Sequence, residues 1–214
     1  MKNKLKLIIP FLLSVACSTY VEKDPAPEPE NTDTSISLTE EPAILPDTVA
    51  IDPKLSPQEK IIAFKEKQLR LYSEVEATKG INPERFEKDT LIKFALKKNT
   101  PVKYGTTENV YPVATVFYLH YSDSTTFNNA FNNWMNCFGN DCTPIRFEED
   151  MKSIKTTPSY TWINQDQLWM LHLCYQCEHK ENDWNKWIDE LDLLFGGKNT
   201  VRIETACGGP LKWK

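Results

Sequence analysis

Pro112-Val-Ala-Thr-Val-Phe-Tyr-Leu-His-Tyr121 is an almost unbroken run of apolar, β-branched and aromatic residues. Such a run fits a central strand of a sheet. The chain on its C-terminal side carries the opposite periodicity. Phe127, Phe131, Trp134 and Phe138 recur at helical spacing, with asparagines on the other face, so a helix is predicted there. Asp123 or Ser124 can cap it and Gly139 can end it.

After a loop at 140–157, Ser159–Ile163 and Gln167–Cys174 read as a hairpin turning at Asn164-Gln-Asp166. Trp184, Trp187, Ile188, Leu191, Leu194 and Phe195 form the stripe of a second helix, which Gly196-Gly197 ends. Asn199–Ala206 then alternates, with Val201 and Ile203 inward and Arg202 and Glu204 outward. Residues 110–214 thus read β-α-β-β-α-β. That order predicts an α+β, ferredoxin-like sandwich: a four-stranded antiparallel sheet with both helices on one face. The Gly208–Trp213 segment reads as a turn and a short tail whose Trp packs back.

Residues 57–98 read as a helical hairpin packed on that domain. Pro57 suits the first turn of a helix, with Ser56 as its cap. Ile61, Ile62, Phe64, Leu69, Tyr72 and Val75 supply an apolar side, and Gly80 a stop. Asn82-Pro83 opens the second helix, with Phe86, Leu91, Ile92, Ala95 and Leu96 as its apolar side. A hairpin this short is marginal alone, so it should lean on the sheet.

The strand directions of the ferredoxin-like order bring Cys137, Cys142, Cys174, Cys177 and Cys207 to one end of the sheet. In an oxidising compartment bridges are the default, and five thiols leave one over. The preferred pairing is Cys137–Cys142 with Cys177–Cys207, which leaves Cys174 as a buried free thiol. Cys174–Cys177 with Cys207 free is the competing pattern.

Residues 1–17 carry the compartment signal. Lys2, Lys4 and Lys6 form a positive start, Leu5 to Leu13 is a short apolar run, and Ser14-Val-Ala16-Cys17 follows. The run is too short to span a bilayer and reads as a signal peptide. Its end resembles the lipobox of bacterial lipoproteins. The resemblance covers these 17 residues and implies acylation of Cys17, hence a membrane partner and an extracytoplasmic place in the cell envelope. Residues 18–56 follow as a disordered tether: Ser18 to Pro57 holds seven prolines and no glycine, and nine acids face two bases. Like charges and polyproline II stiffen such a spacer.

The net charge is −5, and the tether accounts for more than all of it. Residues 58–214 carry only −1, without a basic cluster, which argues against nucleic acid as a partner. No cofactor motif is present and no convergent catalytic set emerges, so the expected role is non-enzymatic: a binding or structural domain for an envelope partner. Two chemical alternatives centre on His172-Leu-Cys-Tyr-Gln-Cys-Glu-His179. Cys174 and Cys177 have the spacing of a redox pair at a helix start. His172, Cys174, Cys177 and His179 could hold a soft metal such as zinc or copper(I). His120 reads as a strand-end residue with no carboxylate of readable spacing beside it.

Overall fold

A computed structural model describes residues 50–77, 86–104, 108–139, 141–176, 183–206 and 209–214. It contains α1 (Pro57–Gln68), β1 (Tyr72–Val75), β2 (Thr90–Lys98), β3 (Val102–Tyr104), β4 (Glu108–Val110), β5 (Val113–His120), α2 (Ser124–Asn136), β6 (Ser159–Asn164), β7 (Trp169–Tyr175), α3 (Asp183–Phe195), β8 (Thr200–Thr205) and β9 (Leu211–Trp213). Seven strands form one antiparallel sheet in the order β1-β2-β5-β7-β6-β8-β9, and β3 and β4 pair separately as a ribbon.

The mixed α+β class holds, and so does the β-α-β-β-α-β succession from β5 to β8. The ferredoxin-like strand order does not. That order would seat β8 beside β5, where the structure has β2 instead, and β8 pairs with β6. The physical consequence concerns the helices. The crossovers β5-α2-β6 and β7-α3-β8 traverse the sheet in the same direction, but their strands point opposite ways. Right-handed connections then put α2 and α3 on opposite faces.

The packing agrees. Phe127, Phe131 and Trp134 of α2 bury with Phe117, Leu119, Ile163, Met170 and Ile203. Trp184, Trp187 and Leu191 of α3 bury with Val116, Tyr118, Trp162 and Leu171 on the other side, joined by Ile61 and Phe64 of α1. The sheet is therefore the middle layer of three. Its central strands have apolar residues on both faces, which is why the opening run shows no alternation.

The helical hairpin expected over 57–98 is not formed. Its first part stands: α1 begins at Pro57 with a complete capping box between Ser56 and Glu59. It ends at Gln68, however, and the chain turns straight into β1. Tyr72, expected on a helix face, belongs to β1: it stands opposite Lys98 of β2, and its ring centre is 4.9 Å from that of Trp187. The second predicted helix is the strand β2. Ile92, Phe94 and Leu96 face the α3 side and alternate with Lys93, Ala95 and Lys97. The period is two, and Phe94 belongs to the stripe that the helical reading omitted. Gly80 and Asn82-Pro83 lie outside the described residues.

Trp213 packs back as expected, with its ring centre 5.0 Å from that of Phe147, but the tail is also a strand. Leu211–Trp213 adds the seventh strand, paired with β8. The outer edge of β9 is closed by the 141–157 segment. Met151 exchanges both backbone hydrogen bonds with Leu211, at 3.0 and 2.8 Å, and Trp213 N–H donates to Asp150 Oδ1 at 2.8 Å. An edge so covered offers no template to another strand. Gly209 makes the approach possible: its φ is +87°, and a Cβ there would stand 2.7 Å from Ser153 Cα.

Candidate functional site

The residues singled out for chemistry fall on β7 and around its C-terminal end. His172 and Cys174 share the α2 face of the strand. Register places them in two rows: Phe117–His172–Thr161–Ile203, and Thr115–Cys174–Ser159–Thr205. The second row is polar and buried within an otherwise apolar layer. Buried hydroxyls require partners, and they have them. Ser159 Oγ and Thr205 Oγ1 lie 2.7 Å apart, and Ser159 N–H donates to Thr205 Oγ1 at 3.0 Å.

His172 is 5 % exposed. Its Nδ1 shares a 2.6 Å hydrogen bond with Thr161 Oγ1. Trp134 meets the imidazole edge-on, with ring centres 6.2 Å apart, and Phe117 stands at the same distance on another side. Burial disfavours the charged ring and pushes its pKa down to about 3. A neutral imidazole held this way serves packing. Among the described residues no three His, Cys, Asp or Glu groups converge to hold a metal. Cys177 and His179, the other half of the proposed set, lie outside the described residues.

Cys174 is buried beneath α2, in the same layer as Trp134 and Phe138. Cys137 and Cys142 are joined in a disulfide with Cα atoms 4.0 Å apart. The bridge closes the turn that follows α2, where Phe138 and Thr143 exchange backbone hydrogen bonds at 3.1 and 2.9 Å. The Cys177–Cys207 pairing and its competitor rest on two cysteines outside the described residues, as do Cys17, the 1–17 signal and the tether up to residue 49.

Two charge clusters were not legible in the sequence. His120 does have a carboxylate neighbour: Asp89 Oδ2 lies 4.0 Å from its Nδ1, and Asp89 N–H donates to His120 C=O at 3.0 Å. The two residues are far apart in sequence and meet only because β2 pairs with β5. The second cluster lies at the rim of the α3 face. Asp192 accepts from Trp162 Nε1 at 2.5 Å and from Arg202 at 3.1 Å. Beside it Lys214 pairs with Glu204 and stands 5.5 Å from the Tyr160 ring centre. Burial, and then the Asp192 carboxylate, push the Tyr160 phenol up to about 12. One signal did exist: a Trp inside a strand, Trp162, needs an acceptor for its indole N–H.

The site residues thus belong to a three-layer α/β/α domain in which His172, Ser159 and Thr205 find partners inside the core, whereas Tyr121 Oη, Trp184 Nε1 and Arg202 Nε are buried without a hydrogen-bond partner among the described residues. No protein family matches the chain, and neither a curated protein nor a solved structure is detectably similar to it.

Proposed function

We propose that this is a lipid-anchored protein of the bacterial cell envelope, with a small disulfide-bonded α+β domain in a non-catalytic binding or structural role. The observation that carries the reading is the succession of Lys2, Lys4 and Lys6, the apolar Leu5–Leu13 and Ser14-Val-Ala16-Cys17, followed at once by an acidic, proline-rich segment. The first three parts direct export and acylation, and the fourth spaces a domain from its anchor. The Cys137–Cys142 bridge supports an oxidising, extracytoplasmic compartment. The attachment proposed is the lipid at Cys17; no helix among the described residues is long and apolar enough to cross a membrane.

Membrane fractionation with intact mass analysis tests this. Wild-type protein should sediment with membranes and carry the mass of a diacylglyceryl adduct on a chain beginning at Cys17. A Cys17→Ser chain should lose the adduct and the membrane association. Identical fractionation and mass for the two sinks the proposal.

A further inference from the structure

One end of the sheet gathers side chains that the core does not use. Antiparallel register brings together the end of α1, the start of β1, the end of β2 and the chain entering β5. Tyr72 stands opposite Lys98, and Lys97 lies between Ser73 and Val113. Asn99 N–H donates to Leu71 C=O at 3.1 Å, and Lys98 N–H to Pro112 C=O at 2.8 Å. Lys97 Nζ is 5.0 Å from the ring centre of Tyr111. The β3–β4 ribbon leaves from the same corner and exposes Lys103.

Three large apolar side chains are exposed there: Leu71 at 64 %, Leu69 at 40 % and Tyr111 at 37 %. Arg70, Lys97, Lys98 and Lys103 lie among them. The nearby Glu74 is engaged by Lys65 at 2.7 Å. Residues 58–214 together carry only −1, so four bases in one corner are a local concentration of positive charge.

We propose that this end is a docking surface for an anionic phospholipid membrane. Bases placed around exposed leucine and tyrosine match the headgroup boundary, where the cations meet phosphate and the apolar tips enter the acyl region. The inference rests on the anchored reading above, because an acylated Cys17 holds the domain beside a bilayer. Residues 18–49 number 32 and reach at most roughly 110 Å when extended, enough to let this end turn onto the surface, while Ile51 already packs on the core. The other occupants that would suit the same charge are the acidic 18–56 segment itself and an acidic protein.

The test is co-sedimentation of a chain starting at Ser18, which retains both cores and lacks the anchor residue. The probes are vesicles of phosphatidylcholine alone or with about a third phosphatidylglycerol, at low and high salt. The expected result is binding to the anionic vesicles only, weakened by salt. Each basic residue near such a surface contributes about five-fold, so Arg70→Glu with Lys103→Glu should lower the partition coefficient more than ten-fold. Leu71→Ser, at an exposed position, should lower it without changing the melting temperature. Equal partition onto neutral and anionic vesicles, no binding at all, or no response to the substitutions overturns the proposal. Binding that appears only after residues 18–49 are removed assigns the corner to the acidic segment and also overturns it. Because the Ser18 chain carries no lipid, none of these results depends on whether Cys17 is acylated.

Discussion

Lowering the pH from 7 to 5 should destabilise this protein through His172. The imidazole is buried, its Nδ1 engages Thr161, and burial holds its pKa at about 3. In the unfolded chain it returns to about 6.5. Below pH 6.5 the unfolded state binds a proton that the folded state refuses. Stability is therefore complete above that value and is lost as the pH falls towards 3. Each pH unit in the window costs about 1.4 kcal/mol, so roughly 2 kcal/mol is gone at pH 5. The buried phenols do not contribute, since burial raises Tyr118 and Tyr175 to about 12 and keeps them neutral throughout. Urea titrations followed by tryptophan fluorescence at pH 7, 6 and 5 measure the loss. His172→Gln supplies the control, because its amide can still bond Thr161 and does not titrate. Wild type should lose about 2 kcal/mol more than the variant between pH 7 and 5. Every other side chain is common to the two proteins, so its contribution cancels in the difference. Parallel pH profiles for the two would refute a buried neutral His172.

Removing the Cys137–Cys142 bridge with a Cys137→Ala, Cys142→Ala double substitution should cost roughly 2 kcal/mol by the loop-entropy relation, read as a lower urea midpoint. Protein already reduced should show no further loss. Asp192→Ala leaves Trp162 Nε1 and Arg202 without their acceptor, a loss on the order of 1–3 kcal/mol. With Trp162→Phe as background, the same substitution should cost measurably less, and an unchanged cost would show that the indole bond contributes nothing. Gly209→Ala meets both a left-handed backbone and the Ser153 main chain, so it should destabilise by more than about 1 kcal/mol and lower the thermal midpoint, whereas Lys212→Ala on the same segment should not.

The elements of the C-terminal domain were legible by two signals: β5 by its continuous apolar run, and the helices and last strand by their periods. Ser124–Asn136 and Asp183–Phe195 follow helical stripes with glycine stops, the first also with Asp123 as its cap, and Thr200–Thr205 alternates. The segment 57–98 misled because short apolar clusters fit both periods. Leu69, Tyr72 and Val75 sit three apart, as on a helix, and what makes Tyr72 a strand residue is its partner Lys98 and the rings of Trp184 and Trp187. Pairing of that kind is a tertiary fact that local spacing does not encode. The candidate site divides in the same way. The shared face of His172 and Cys174 follows from strand geometry alone. The partners of His172, Thr161 and Trp134, come from another strand and from a helix, and no spacing announces them.

One exchange of neighbours accounts for most of the remaining difference. With β2 beside β5, β8 is moved to the far side of β6, and the direction of one crossover across the sheet is reversed. Right-handedness then sends α2 and α3 to opposite faces. A ferredoxin-like sheet keeps one open face on which a partner can lie. In this sheet α2 and α3 each cover the centre of one face, and the β9 edge is sealed by Met151 and Asp150. The surfaces left for recognition are therefore at the ends of the strands and along β1, which is short and opens from Leu71. Leu69, Leu71 and Tyr111 are exposed at that corner beside Arg70, Lys97, Lys98 and Lys103. The ferredoxin-like order would leave a sheet face open to a partner; the observed order covers both faces and leaves the corner where β1 begins and β2 ends.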